Sequence, residues 1–358
     1  MRIVHLARDE KFIPLLRELF ESAHPGANRW LVARRSRAAL RFVKPGSDVT
    51  DRAEWWWRTP LLRRDVADAD VLIAHSMTTI FANALRHAPR ARAVWLGWGY
   101  DYYPLLAEQL WPPLLPQTRA LVQADDDEPS AKRPALADAA PRLHTFCVLP
   151  PEVPLLRRAL PALTAVHHEL PLFTREDVFE RGPAAMAGPD VLLGNSATAS
   201  NNHLDAFELL KAHPLPGQLI VPLSYGNLAY GAQVAARGAA QFGERFDGLR
   251  DFMTLDDYNR RIAGCGFVVM NHRRQQAVGN VGAALFKGAT VYLRRENPLY
   301  AFYRELGIHL RCVDELAEGR ALTALDSAQR SANRERIGAY YARSRVLQSM
   351  RTLPALSA

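Results

Sequence analysis

Short apolar runs alternate along the chain with longer stretches of helical period. Ile3-Val4-His5-Leu6, Val71-Leu72-Ile73-Ala74, Ala93-Val94-Trp95-Leu96 and Thr145-Phe146-Cys147-Val148-Leu149 read as buried strands of the first half. Val191-Leu192-Leu193, Gln218 to Leu223, Phe267-Val268-Val269-Met270 and Thr290-Val291-Tyr292-Leu293 read as those of the second. Near-continuous apolar strands, separated by amphipathic helices, are the pattern of a parallel sheet covered on both faces. The helices are marked by Leu15, Leu16, Leu19 and Phe20, with Pro14 in the first turn, by Ile80, Phe81, Ala84 and Leu85, and by Leu155, Leu156 and Leu160. Later ones carry Leu204, Phe207 and Leu210, the run Leu228 to Ala236, and Leu255, Tyr258 and Ile262 behind Thr254 and Asp257, a capping-box-like start. Val281 to Lys287 forms another, which Gly288 is placed to end. Leu40-Arg41-Phe42-Val43 reads as a further strand and Val166 to Leu170 as the last strand of the first half. Trp55-Trp56-Trp57 cannot all face one side of a helix, so part of the run packs inward. Leu299, Tyr300, Phe302 and Tyr303 form an aromatic stripe better suited to core than to ligand.

At 358 residues the chain exceeds one average domain. The polar stretch Thr174 to Pro189, with Gly182-Pro183 and Gly188-Pro189, is the best linker. It divides an α/β domain over 1–175 from a second over 189–327, and residues 328–358 are Arg-rich and helical in composition. Between Pro104 and Arg142 the pattern breaks. Leu110-Trp111-Pro112-Pro113-Leu114-Leu115 is apolar but interrupted by proline, and Asp125-Asp126-Asp127-Glu128 opens a loop of low hydrophobicity.

In open α/β sheets ligands bind beyond the carboxyl ends of the strands, so the residues there are the candidates for chemistry. After the strand at 191 comes Gly194-Asn195-Ser196 and then Ser200, Asn201 and Asn202, all good N-cap types. Free backbone N–H groups at the next helix suit a phosphate; taken alone, the pattern also fits an ordinary strand–helix turn. After the strand at 267 comes Asn271-His272-Arg273-Arg274-Gln275-Gln276, and two Arg and two Gln in one loop suit a diphosphate and sugar hydroxyls. After the strand at 290 stands Arg294-Arg295-Glu296-Asn297-Pro298, where Glu296 can accept from a ribose diol. Tyr225 follows the strand at 218, as a base-stacking ring or an ordinary loop aromatic. In the first half Asp9, His75 and Asp101 stand at strand tips. Any of them can act as a general base on an acceptor hydroxyl. Asp101 can instead orient His75, His75 can be a satisfied core histidine, and Asp9 a loop charge.

Gly194-Asn195-Ser196, Asn201-Asn202-His203, Val221-Pro222-Leu223-Ser224-Tyr225, Arg274-Gln275-Gln276 and Arg295-Glu296-Asn297-Pro298 together resemble the TDP-4-acetamido-4,6-dideoxygalactose:lipid II transferases of enterobacterial common antigen synthesis. The resemblance is dense from Val191 to about Gly307. It is thinner at Trp98-Gly99-Tyr100-Asp101 and from Val71 to Leu85. It implies a GT-B glycosyltransferase, with two Rossmann-like domains facing a central cleft and the last helix returning to the N-terminal domain. The donor is then a TDP-linked amino-dideoxy sugar, bound as substrate by Gly194, Asn195, Ser196, Tyr225, Arg274, Gln275, Gln276, Glu296 and Asn297, with no further cofactor. The acceptor is a polyprenyl-diphosphate-linked saccharide at the cytosolic membrane face, served by the N-terminal domain. Where the family is shorter and more basic, this chain carries the Pro104–Arg142 segment.

Composition changes this picture little. The formal charge of +8 fits nucleic acid, an anionic membrane surface or a phosphorylated substrate, though the arginines are dispersed. Cys147, Cys265 and Cys312 are too widely spaced for a disulfide framework or a zinc site. No D-x-D metal motif stands at a predicted site, so Arg and helix N-termini are expected to stabilise the leaving diphosphate. The amino terminus runs straight into a strand, with no signal-peptide layout and no membrane-spanning run. The expectation is a cytoplasmic enzyme, peripheral on the inner membrane through its N-terminal domain, with Trp111 at headgroup level. The alternatives are a transferase using another nucleotide sugar and a protein or soluble acceptor, and a non-catalytic basic binder of nucleotides or nucleic acid. The missing G-x-G-x-x-G counts against a dinucleotide oxidoreductase, and the lack of a recognition motif against nucleic acid.

Overall fold

The computed structural model describes residues 1–35, 39–109, 113–122 and 132–353. These fall into two compact units. The first takes the described residues up to 109, those from 132 to 173 and those from 343 onward; the second takes 113–122 and 174–342. Residues 113–122, read with the first half of the sequence, thus belong to the second unit. So do residues 328–342, which the sequence reading grouped with the final helix.

The first unit is a seven-stranded parallel sheet built from β1 (Ile3–Arg8), β2 (Asn28–Arg34), β3 (Val49–Ala53), β4 (Val71–His75), β5 (Arg92–Leu96), β6 (Thr145–Cys147) and β7 (Val166–His167). Their order is β3-β2-β1-β4-β5-β6-β7. Every residue of β4 is buried, as a strand covered on both faces requires. Helix Arg343–Thr352 packs on helix Ile13–Ala23, where His24 Nε2 lies 3.0 Å from the Met350 carbonyl oxygen.

The second unit is a six-stranded parallel sheet made from β8 (Val191–Leu193), β9 (Leu219–Pro222), β10 (Phe246–Leu249), β11 (Phe267–Met270), β12 (Thr290–Leu293) and β13 (Arg311–Cys312). Their order is β10-β9-β8-β11-β12-β13. In each sheet the order reverses once, between β1 and β4 and between β8 and β11. Those two points open a crevice at the carboxyl end of the sheet.

Several expectations need correcting. Leu40 to Val43 is not a strand. The backbone N–H groups of Arg41, Phe42 and Val43 all donate to the Asp9 carboxylate, at 2.5, 3.0 and 2.9 Å, so they are not offered to a ladder. The pairing strands here are β2 and β3 instead. Only Val166 and His167 of the run to Leu170 pair. Trp57 is buried and Trp55 exposed, which divides the tryptophan run as its spacing requires. The predicted caps at Thr254 and Gly288 are in place: Thr254 accepts from the Asp257 N–H, and Gly288 turns away at φ +91°. Residues Leu110, Trp111 and Pro112 and the acidic run at Asp125 lie outside the described residues. Among those described, no helix is long and apolar enough to cross a membrane.

Candidate active site

The crevice of the second unit is built from three loops. The first follows β8. Gly194 has φ +67°, and a Cβ there would fall 2.8 Å from Asn201 Oδ1 and 3.0 Å from His203 Nε2, so glycine is required. The following residues turn through a short 3-10 segment, Ala199–Asn201, to Asn202. Asn202 stands at the N-cap of helix His203–Leu210 in the left-handed conformation, φ 52° and ψ 48°, and its side chain does not cap. This corrects the capping role expected of Ser200, Asn201 and Asn202, since their side chains are spent across the crevice and on the loop. Asn201 Oδ1 accepts from the Asn195 N–H at 3.0 Å, and its amide donates to the Ser196 carbonyl at 3.0 Å.

The second loop follows β11 and is tied to the first by paired amides. Asn202 Nδ2 donates to the Asn271 carbonyl at 3.1 Å, and Asn271 Nδ2 returns a bond to the Asn202 carbonyl at 3.0 Å. His272 Nε2 lies 2.7 Å from Asn201 Oδ1 and so carries the proton, leaving buried Nδ1 as an unpartnered acceptor. Burial holds His272 at about 3, with the Arg274 charge adding to the shift, so the ring is neutral. Ser200 Oγ donates to Gln276 Oε1 at 2.6 Å, Gln276 Nε2 donates to Asn195 Oδ1 at 2.9 Å, and Arg274 Nη2 reaches Ser200 Oγ at 3.2 Å. The loop ends at Ala277, φ +56°, from which helix Val278–Phe286 starts with no side-chain cap and no acidic residue in its first turn. Its N-terminal N–H groups and dipole are a ready site for an anion.

The third loop follows β12. Asn297 caps helix Pro298–Glu305 through the Leu299 N–H at 2.9 Å. Its amide donates to the carbonyls of His272, at 3.1 Å, and Arg274, at 2.9 Å. Both ends of its amide are thus engaged within the loops of the crevice. Glu296 is half-buried beside Arg294, 2.8 Å away, and Arg273, 3.4 Å away, both on Oε1. Burial works to raise its pKa, but the Arg294 hydrogen bond, its own backbone and the two guanidinium charges outweigh it, so the carboxylate stays ionised.

The structure thus brings together Gly194, Asn195, Ser196, Arg274, Gln276, Glu296 and Asn297, with Gln275 in the same loop. Tyr225 stands on the flank: its strand, β9, lies across β8 from β11, and its ring is 71% exposed. Sequence reasoning gave no site role to Asn201, Asn202, Asn271, His272 or Arg294. Three of them are amides in loops, whose value depends on partners 69 or more residues away.

The candidates of the first unit fare differently. Asp101 is fully buried: Oδ2 accepts from the Met77 N–H and the Trp95 indole, each at 2.8 Å, and Oδ1 from the Trp98 N–H at 2.9 Å. It fastens the loops after β4 and β5. Burial raises its pKa, against the pull of those three donors. His75 is buried too, and it pairs with His5 at 3.0 Å, not with Asp101. His5 Nε2 donates to Asn28 Oδ1 at 3.1 Å, so His5 Nδ1 accepts from His75. Burial lowers both rings, His5 to about 3. Asp9 is committed to the three N–H groups of residues 41–43. His75 and Asp101 are thus buried and bonded within the fold, while Asp9 is half-exposed at the wall of a cavity with its carboxylate on the loop of residues 41–43. No group of three or more His, Cys, Asp or Glu side chains among the described residues is arranged to hold a metal ion.

Residues 174–343 match the family model described as 4-alpha-L-fucosyltransferase, glycosyl transferase group 56. Across essentially the whole chain the structure is similar to the α,α-trehalose-phosphate synthase (UDP-forming) of Burkholderia xenovorans in complex with glucose-6-phosphate. The TM-score is 0.63 at 12% identity, with 100% of each chain covered. It is also similar to Anabaena HepE in complex with UDP-glucose, with a TM-score of 0.59 at 11% identity, covering 99% of this chain and 98% of that one. The fold is GT-B. The family match and this architecture together support a glycosyltransferase. The matched segment contains all three loops of the crevice.

Proposed function

We propose that this protein transfers 4-acetamido-4,6-dideoxygalactose, or a sugar of the same skeleton, from a TDP donor to a polyprenyl-diphosphate-linked saccharide. One observation carries the reading. The uncapped N-terminus of helix Val278–Phe286, Arg274 and the ionised Glu296 share one crevice, inside the segment that matches a fucosyltransferase family. Fucose and 4-acetamido-4,6-dideoxygalactose share the 6-deoxy-galacto skeleton, so the family match and the motif resemblance point to one class of sugar. The helix N-terminus and Arg274 take the diphosphate, and Glu296 Oε2 accepts from the ribose hydroxyls. Charge developing on the leaving diphosphate is stabilised by these fixed donors. The formal charge of +8 favours a peripheral position on anionic membranes, where such an acceptor resides.

A second reading has its own support: the structures of similar fold include enzymes named as UDP-forming and a UDP-glucose complex, which favours a UDP-sugar and a soluble acceptor. A transfer assay separates the two. TDP-4-acetamido-4,6-dideoxygalactose and UDP-glucose are each offered with the polyprenyl-linked saccharide in vesicles, or with glucose-6-phosphate in solution. Sugar transfer from the TDP donor to the vesicle acceptor is the expected result. Transfer from UDP-glucose alone establishes the second reading, and no transfer in any combination sinks the first.

A further inference from the structure

His75 and Asp101 are buried in structural bonds and the half-exposed Asp9 is engaged by three backbone N–H groups, so if the protein is the transferase proposed above, another group of the first unit is open to receive the acceptor's proton. Glu10 follows the end of β1, on the carboxyl side of the strand where the sheet order reverses. It is exposed, and its carboxylate makes no hydrogen bond or ion pair among the described residues. It lines a cavity of about 220 Å³ together with Arg8 and Arg34, at the ends of β1 and β2. Arg8 is ion-paired to Glu54 and Arg34 to Asp51, so neither guanidinium claims Glu10. Beside it the loops after β1 and β5 bring Phe12 against Trp98, ring centroids 5.5 Å apart, and both Phe12 and Tyr100 are exposed. The Trp98 indole nitrogen is buried without a partner. Ser76, at the end of β4, is held at φ 75°, a strained value for a serine. Its hydroxyl is fixed by the Tyr100 phenol at 2.8 Å. Exposed aromatic faces, an unused N–H donor and an unpaired carboxylate are the groups that hold a sugar ring and draw on one of its hydroxyls, and the buried Ser76 fixes the Tyr100 ring among them.

We propose that Glu10 is the general base for the acceptor hydroxyl, in a saccharide subsite formed by Glu10, Phe12, Trp98 and Tyr100. The acceptor O–H bond breaks and its proton passes to the Glu10 carboxylate. The freed oxygen pair forms the new bond to the anomeric carbon of the donor. The bond from that carbon to the diphosphate oxygen breaks, and its electron pair leaves with the nucleoside diphosphate. One displacement inverts the anomeric centre.

The test uses the full chain, TDP-4-acetamido-4,6-dideoxygalactose and the polyprenyl-linked saccharide in vesicles. Glu10→Gln should lower kcat by about a hundredfold or more. It should leave the melting temperature and the TDP-induced thermal shift unchanged, because Glu10 is exposed and lies outside the donor crevice. The rise of kcat with pH in the wild type should disappear in Glu10→Gln, and formate should restore part of the rate to Glu10→Ala. Glu244→Gln, an exposed carboxylate of the second unit, should behave as wild type. Activity of Glu10→Gln within about threefold of an active wild type overturns the assignment, and so does a product of retained configuration. A wild type that neither binds TDP nor transfers instead removes the transferase reading on which the assignment rests.

Discussion

Glu296 is the residue whose environment speaks most directly for a ligand. Arg294 and Arg273 approach its Oε1 at 2.8 and 3.4 Å and help to hold it ionised. Removing a charged acceptor from a ribose hydroxyl costs about 1.5–3 kcal/mol, roughly a tenfold to hundredfold loss of affinity. Glu296→Ala should therefore weaken TDP binding by that factor in calorimetry while thermal unfolding stays cooperative. Unchanged affinity would leave Glu296 as a partner of Arg294 alone. The place of Glu296 beside the crevice was legible in the sequence, because it follows an apolar strand directly in a run of charged residues. The roles of Asp9 and Asp101 were not. Each also follows an apolar strand, but the loop after a neighbouring strand, β2 for Asp9 and β4 for Asp101, offers backbone N–H groups to the carboxylate. Nothing in the local sequence shows where a distant N–H will point.

At the scale of elements, the central strands were legible because strands buried on both faces are apolar throughout, as in Val71 to Ala74 and Val191 to Leu193. The edge strands β3, Val-Thr-Asp-Arg-Ala, and β10, Phe-Asp-Gly-Leu, have one open side and carry polar residues, so their pattern is weak. The crevice loops depend on backbone as much as on side chains. At Gly194 a methyl group would meet Asn201 Oδ1 and His203 Nε2 and would need a left-handed conformation as well. Gly194→Ala should thus shift the amides that join the loops after β8 and β11. The expected outcome is a destabilisation of about 1–3 kcal/mol together with weakened TDP binding, read by denaturant unfolding and calorimetry. A variant with wild-type stability and affinity would show that this turn does not organise the site. Asn202 makes a comparable link. It receives the Leu115 N–H at 2.8 Å and donates to the Pro113 carbonyl at 3.1 Å, which ties residues 113–115 to the crevice.

For the whole molecule, buried titratable groups set the response to pH. His5, His203 and His272 sit at about 3 in the folded protein, and burial also lowers His75 well below its ordinary value. The unfolded chain takes up these protons below about 6.5 and the folded protein does not. Their contribution is therefore complete above that pH and is lost as pH falls, by roughly 1.4 kcal/mol per unit for each group. Glu152 opposes them: burial raises it to about 7, against hydrogen bonds from Tyr102 and Tyr103. Its contribution is complete below about 4.5 and is lost as pH rises through 7. Asp101, raised by burial as well, acts in the same direction as Glu152, but four histidines outweigh two carboxylates, so the melting temperature should fall between pH 6.5 and 5. A melting temperature that rises over that interval would contradict the buried neutral histidines.

The central claim is that the crevice between β8 and β11 holds a nucleoside diphosphate through its loops and a helix N-terminus. Amide hydrogen exchange with and without saturating TDP, in the absence of divalent metal, tests it most directly. Slowed exchange is expected in peptides spanning residues 194–202 and 271–281, with the rest of the second sheet little changed. Exchange unaltered in both peptides, or slowed only in the first unit, would contradict it.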